Sequence, residues 1–312
     1  MADKEKNFIS AVVYVHNAEQ RIDRFLKMLI TVLEENFEHS EIICVNDSSA
    51  DGSADIIRSA SQTASSTSIS ILNMSYFHGL ETAMNAGMDL TIGDFVFEFD
   101  SPDLDFDKAE IMRIYRRSLE GYDIVSASPD KKEAFSSRLF YKIFGCFTNL
   151  TYKLSTERFR ILSRRVINRI GSMNKTIPYR KAVYANCGLK TDNVKYAVQN
   201  DDRRPTDKKE KTYRAGLAVD LLIQFTEVGY RFSMIMTLLM MSMSVFMVAY
   251  SVIIYLTSHP IAGWTTTILF LSIAFLGLFG ILTVIIKYLQ LLVNLVFKRK
   301  QYCFESIEKL TK

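Results

Sequence analysis

Asp47, Asp100, Asp103 and Asp105 each stand just beyond a short apolar run, in the segments Asn46-Asp47-Ser48-Ser49-Ala50-Asp51-Gly52 and Asp100-Ser101-Pro102-Asp103-Leu104-Asp105. A third polar segment of this kind, His16-Asn17-Ala18-Glu19, follows the first apolar run. Carboxylates gathered at such positions suit a hard divalent cation, which takes oxygen ligands and can itself carry phosphate groups. Neither a GxGxxG nor a GxxxxGK[ST] loop is present, so no glycine cradle for phosphates competes with that reading. The chemistry expected is therefore that of a nucleotide diphosphate. Ser49 and Ser53, taken singly, read as caps of the helix that follows them. Arg138, Lys142, Arg160 and the stretch Arg203 to Arg214, with Arg203, Arg204 and Lys211 within it, could seat an anionic phosphate. The same stretch could instead lie against anionic lipid, at roughly 1 kcal/mol per basic residue near the surface.

The elements that must position these groups alternate short apolar runs with helical periodicity. Strands are expected at 8–15, 41–45, 69–73 and 94–99, and helices at 19–35, 53–64 and 80–91. This βα alternation predicts an α/β domain with a mostly parallel sheet. In open sheets of that kind ligands bind beyond the carboxyl ends of the strands, where the polar segments above stand. The cysteines Cys44, Cys146, Cys187 and Cys303 have neither zinc-site spacing nor disulfide-scaffold density and read as reduced bystanders. His16, His39, His78 and His259 likewise lack metal-ligand spacing, although His16 and His78 stand on strand-end loops.

The chain has 312 residues, of which 48% are hydrophobic, and that excess is concentrated between Met234 and Phe297. Met234 to Leu256 and Thr265 to Ile286 carry no charge, and each is long enough at about 1.5 Å per residue to cross a roughly 30 Å hydrocarbon core. Lys287 falls where its amine can snorkel to the interface. Arg231 precedes the first run and Lys298-Arg299-Lys300 follow the second, while the connecting loop has no charged residue, so both ends are expected on the cytoplasmic side. The polar N-terminus gives no sign of a cleavable leader. Apolar and polar residues interleave from Leu217 to Phe232 as in a helix lying in the membrane interface. The expected organisation is a cytoplasmic catalytic domain over 1–215, a juxtamembrane amphipathic helix over 216–233, a membrane hairpin over 234–297 and a basic tail over 298–312. Gly277 and Gly280 would permit close helix approach in a homo-oligomer.

These residues resemble a family 2 glycosyltransferase with a GT-A fold, and more narrowly the polyisoprenyl-phosphate glycosyltransferases. Val13-Tyr14-Val15-His16-Asn17-Ala18-Glu19 is similar to the family's first-strand motif PvyNEe, and Val45 to Ser53 to VDDGSxDgS. Gly79 with Ala83-Met84-Asn85-Ala86-Gly87 resembles its third helix, Gly93-Asp94-Phe95 leads to Asp100 as in the strand delivering DxD, and Phe159-Arg160-Ile161-Leu162-Ser163-Arg164-Arg165 resembles FRLlsRr. The matches run in order, and the two apolar runs extend them.

The resemblance implies sugar transfer, with inversion, from a nucleotide sugar, a UDP-sugar first, to a polyprenyl phosphate at a bacterial plasma membrane. It implies Mg2+ or Mn2+ as cofactor and no nucleic-acid partner. Tyr14, Asn17, Glu19, Asp47 and Asp100 would bind the donor, Asp47 at the base, and Asp100, Asp103 and Asp105 would supply the metal ligands. Asp100, Asp103, Arg138 and Arg160 would be catalytic, and Arg138, Lys142, Arg203, Arg204 and Lys211 would face the acceptor phosphate. Three positions depart from the pattern: Pro102 replaces the second Asp of DxD, which leaves either Asp100 with Asp103 in a lengthened loop or Asp103-Leu104-Asp105 as a shifted motif, Asn46 replaces a usually acidic residue, and Arg158 the Asp before Phe159, where Glu157 beside it could stand in. These departures sustain an alternative, a catalytically impaired relative acting as a membrane binding partner. A processive polysaccharide synthase is disfavoured because the chain's one tryptophan, Trp264, lies between the apolar runs, outside any QxxRW motif.

Overall fold

The computed structural model describes residues 4–130, 156–172, 180–199, 228–257, 263–296 and 302–311. The chain divides into two compact units, Met1–Ala215 with Arg299–Lys312, and Gly216–Lys298.

The first unit is built on an eight-stranded sheet. In chain order its elements are β1 (Ile9–Val15), α1 (Glu19–Asn36), β2 (Ser40–Asn46), α2 (Ser53–Ser61), β3 (Ser68–Met74), α3 (Leu80–Asp89), β4 (Phe95–Phe99), α4 (Ala109–Leu119), β5 (Ile124–Pro129), β6 (Phe159–Ser163), α5 (Arg164–Ser172), α6 (Arg180–Asn186) and β7 (Thr191–Tyr196). The strand order is β7-β5-β6-β4-β1-β2-β3, with a further strand beyond β3. The run β4-β1-β2-β3 is parallel, β6 lies antiparallel between β4 and β5, and β7 is parallel to β5. The predicted mostly parallel α/β sheet is therefore present.

β1 along almost its whole length and β2 over Ile42 to Val45 are continuously apolar because helices cover both faces of the sheet. Ile9, Ala11, Val13 and Val15 pack on one side with Ile22, Phe25, Leu26, Leu29 and Leu33 of α1, which recur at helical spacing. Val12, Val45 and Leu72 pack on the other with Ala83, Met84 and Ala86 of α3. A continuous aromatic stack, Phe25–Phe99–Phe159–Phe106, seals the carboxyl end of β4, with ring centroids 5.2, 5.3 and 4.4 Å apart. That end of β4 is consequently rigid where Asp100 leaves it.

The C-terminal segment is a difference from the sequence reading. In place of a basic tail, Phe304–Lys309 forms β8, antiparallel on the edge of β3. Arg58 grips Glu308 with two bonds, Nε to Oε2 at 3.1 Å and Nη2 to Oε1 at 3.0 Å, and Asn73 donates to both Ser306 and Glu308. Side-chain alternation in Phe304-Glu305-Ser306-Ile307-Glu308-Lys309 is weak, and it is pairing with a distant edge that makes it a strand.

The second unit holds α7 (Val228–Thr257) and α8 (Trp264–Val296). Ser233–Thr257 and Trp264–Leu289 are long and apolar enough to cross a membrane, at mean hydropathy 2.1 and 2.7. Leu256 and Phe270 are about three-quarters exposed. Such surface is costly in water and natural in lipid. From Val228 onward α7 is unbroken, so the described end of the expected amphipathic helix runs into the span; one glycine, Gly229, costs about 1 kcal/mol and does not interrupt it. Residues 216–227 of that expected helix lie outside the described residues. Gly277 and Gly280 face no described atom within 4 Å.

Gly93 sits where β4 begins, and a Cβ there would lie 2.6 Å from the Ser10 amide nitrogen and 2.8 Å from the Phe8 carbonyl. Neither backbone atom can yield without breaking β1. Gly93→Ala should lower stability by about 1–3 kcal/mol, measured by thermal unfolding of the detergent-solubilised chain; an unchanged midpoint would show that the strand tolerates the shift.

Candidate active site

The first two strand-end loops are braced against each other. Asn17, at φ +47°, accepts from the Ala50 amide at 2.8 Å, and its own amide donates to Ser49 Oγ at 3.1 Å. The Ala18 amide donates to Ser53 Oγ at 2.9 Å, the Glu19 amide to Asp51 at 3.0 Å, and the Gly52 amide to Glu19 at 3.2 Å. Ser49 and Ser53 therefore hold the neighbouring loop and do not cap α2, whose N-terminus has no side-chain cap. The Ser53 amide donates to Asp51 Oδ1 at 3.1 Å.

Asp47 ties in a third loop. Its carboxylate accepts from Tyr14 Oη at 3.0 Å and from the His78 and Gly79 amides, both at 2.8 Å. The residue has no solvent exposure. Tyr14, Asn17, Glu19 and Asp47 thus stand on loops that brace one another, and Asp47 fixes the Tyr76–Gly79 turn. Phe77 of that turn lies against His16, ring centroids 4.7 Å apart.

Asp100, at the end of β4, meets a different surrounding. Arg160 Nη2 donates to its Oδ2 and Arg180 Nη2 to its Oδ1, both at 2.9 Å, and the Lys181 ammonium is 3.8 Å from Oδ2. Arg160 also reaches Glu157 at 3.2 Å and Glu98 at 2.6 Å. Arg180 reaches Glu81 at 3.1 Å, and its Nη1 stands 3.2 Å from Glu98 Oε1 without the angle of a hydrogen bond. Tyr184 donates to that same oxygen at 2.6 Å, and burial and the Glu98 charge raise its hydroxyl pKa so that it keeps the proton. Arg160 and Arg180 have essentially no solvent contact. Burial alone would raise the Asp100 pKa, but the charges of Arg160, Arg180 and Lys181 prevail and hold it at about 2.

Asp103 and Asp105 turn away from Asp100. Asp103 accepts from Arg21 and, at 2.8 Å, from Ser101 Oγ; Asp105 accepts from Arg158 Nε at 3.0 Å and Tyr196 Oη at 2.9 Å. Arg158 Nη1 stands 3.7 Å from Asp103, so one guanidinium lies between the two carboxylates. Among the described residues no three His, Cys, Asp or Glu side chains converge to hold a cation. Asp100, Asp103 and Asp105 are each paired with an arginine, and as arranged the three carboxylates do not fit Mg2+ or Mn2+. Glu157 does not stand in for the acid lost at Arg158, since it faces Arg160.

Arg138, Lys142, Arg203, Arg204 and Lys211 lie outside the described residues. The sequence reading missed Glu81, Glu98, Arg180, Lys181 and Tyr184. One signal was legible: Glu98 is the lone charge in the strand Phe95-Val96-Phe97-Glu98-Phe99, and a buried carboxylate in such a strand requires a cation. Cys44, buried beneath the site, has its thiol pushed up to about 12 by burial and is inert.

The family model for glycosyl transferase family 2 matches residues 10–183, from β1 into α6, more than half of the chain. The chain belongs to glycosyl transferase family 2. Uncharacterized glycosyltransferase YkcC of Bacillus subtilis is 27% identical over 83% of this chain and 81% of its own length. Uncharacterized glycosyltransferase sll0501 of Synechocystis sp. is 30% identical over 63% of this chain; only 61% of that relative is spanned. Undecaprenyl-phosphate 4-deoxy-4-formamido-L-arabinose transferase of Edwardsiella ictaluri is 32% identical over 43% of this chain and 41% of its own length. Among solved structures, glucosyl-3-phosphoglycerate synthase from Mycobacterium tuberculosis in complex with Mn2+, UDP-glucose and phosphoglyceric acid superposes with a TM-score of 0.51 at 15% identity, over 70% of this chain and 78% of that one. At that identity the likeness is one of fold, and the fold is GT-A. The matched span of this family 2 chain contains Asp100, Arg160, Arg180 and Lys181.

Because the folded Asp100 value lies below the ordinary 3.8, its ionic bonds stabilise the fold above about pH 3.8, and that contribution is lost as pH falls toward 2. Over that interval the loss amounts to about 2 kcal/mol. The stability gap between the parent and Asp100→Asn should therefore narrow by about 2 kcal/mol from pH 5 to pH 2, read by denaturant unfolding in detergent. A gap independent of pH would show that Asp100 is not ionised in the fold.

Proposed function

We propose that this family 2 protein transfers a sugar, with inversion, from a nucleotide diphosphate donor to a polyprenyl phosphate such as undecaprenyl phosphate, at the cytoplasmic face of a bacterial plasma membrane. The reading is carried by one conjunction: a GT-A domain with its charged cluster at the carboxyl end of β4, in the same chain as two helices apolar enough to span a bilayer. The name of the Edwardsiella ictaluri relative supports the acceptor class. Arg231 and Lys298-Arg299-Lys300, flanking the apolar runs, support the cytoplasmic side.

In this reaction the bond from the sugar's anomeric carbon to the donor's β-phosphate oxygen breaks, its electron pair staying on the phosphate. An oxygen of the acceptor phosphate forms the new bond from the opposite side, which inverts the centre. The acceptor is already an anion, so no proton need be removed, and the protein's tasks are orientation and stabilisation of charge on the leaving phosphate. The braced loops after β1 and β2 form the floor for the nucleoside, and Arg160 and Arg180 position Asp100 beneath the sugar. A uridine nucleotide is the first donor to try. The pairing of Asp103 and Asp105 with arginines favours one second reading, a nucleotide-binding membrane protein without transfer.

Full-length protein in vesicles containing undecaprenyl phosphate would be supplied with radiolabelled nucleotide sugars, one at a time. The expected result is lipid-extractable label with one donor, reduced at least about 100-fold in Asp100→Asn, the scale of losing one electrostatic contact to the reacting groups. Nucleotide binding with no labelled lipid from any donor would favour the second reading.

A further inference from the structure

The carboxylates at the end of β4 are spent on the protein's own cations, and this points to how the donor's diphosphate is met. Asp100 has both oxygens occupied by guanidinium groups on Arg160 and Arg180, whose side chains are enclosed at exposures of 1%. Asp103 and Asp105 are held by Arg21 and Arg158. The two sequence departures belong together: Pro102 removes a ligand oxygen where DxD has an acid, and Arg158 puts a fixed positive charge where the family has an acid. A divalent ion would have to displace several buried ion pairs and then sit beside the guanidinium of Arg158. Breaking each buried pair leaves an uncompensated charge.

One cation of the cluster is differently placed. The Lys181 side chain is partly solvent-accessible, as is that of Asp100, in contrast to both arginines. Among the described residues its ammonium makes a single long bond, 3.5 Å to the Glu157 carbonyl, and its one carboxylate neighbour within 4 Å, Asp100, is 3.8 Å away and already bonded to two guanidinium groups. An ammonium has three donors. Lys181 therefore keeps N–H groups that bond no described residue, on a cation that has partial solvent access.

Taking as given the nucleotide diphosphate donor proposed above, we infer that its diphosphate is bound by protein cations with Lys181 at their centre, and that donor binding and transfer need no divalent ion. On leaving, the β-phosphate oxygen keeps the electron pair of the broken bond, and the Lys181 ammonium donates a charge-assisted hydrogen bond to it without giving up its proton. Arg160 and Arg180 act as positioning residues that keep Asp100 and Lys181 in register.

Binding of UDP, GDP, CDP and dTDP to the full-length chain in detergent would be measured by calorimetry, once with excess EDTA and once with Mn2+. The nucleotide that binds should do so with the same affinity, within about twofold, in both. Lys181→Met should weaken that nucleotide diphosphate about tenfold or more, the scale of one hydrogen bond to a charged group. Its affinity for the matching nucleoside should be unchanged, and Lys181→Arg should retain most of the diphosphate affinity. Binding seen only with Mn2+ overturns the inference and leaves the proposed function standing. Equal diphosphate affinity in Lys181→Met and the parent also overturns it. No binding of any nucleotide under either condition overturns both.

Discussion

Two arginines without solvent contact, Arg160 and Arg180, are the constraint on which the site is built. Transferring a guanidinium from water costs several kcal/mol, and the cost is offset only if every neighbouring acceptor is in place. Glu81, Glu98, Glu157 and Asp100 are those acceptors, delivered by α3, by the interior and the end of β4, and by the segment two residues ahead of β6. The antiparallel insertion of β6 between β4 and β5 sets Arg160 directly opposite Glu98 in register. α6 then brings Arg180, Lys181 and Tyr184 on one short helix to close the cluster from the other side. The topology of the sheet and the chemistry of the site are in this sense one arrangement.

The other half of the site is held by backbone amides donating to side-chain oxygens. Asp47 fixes the turn after β3 through two amides, and the loops after β1 and β2 exchange five further bonds of the same kind. β8 extends this brace to the C-terminal segment, since the Cys303 amide donates to His78 Nε2 at 3.2 Å while His78 Nδ1 faces the Tyr76 carbonyl at 2.6 Å. The ring is thereby a donor at Nδ1 and an acceptor at Nε2, which fixes its tautomer and stiffens the same turn that Asp47 holds.

The elements from β1 to β4 were legible in the sequence because each carries its own periodicity and a polar terminator; observed boundaries fall within a few residues of those expected, and the two apolar runs were equally plain. β8 was not legible. It is six residues long and half of them are charged, and pairing with the edge of β3 makes it a strand. The site divides in the same way. Strand-end residues such as Asn17, Glu19 and Asp100 could be placed from spacing alone. The partners of Asp100 come from segments far apart in the chain, and whether an aspartate binds a metal or an arginine depends on what folds against it. Arg158 and Pro102 were visible as departures, but their common meaning emerges only when Arg158 is seen between Asp103 and Asp105.

Enzymes that move a sugar off a diphosphate must neutralise a leaving anion, and a mobile ion and a fixed array of side chains are alternative solutions to that electrostatic problem. A fixed array is preorganised, at the cost of holding buried like charges in place through paired carboxylates. The most direct measurement is a crystal structure of the full chain grown with UDP and Mn2+, with data collected at the manganese absorption edge. Asp100 should remain bonded to Arg160 and Arg180, with Lys181 within hydrogen-bonding distance of the diphosphate and no anomalous peak beside the carboxylates. A manganese peak at coordination distance from Asp100, with the arginines displaced, would contradict this account.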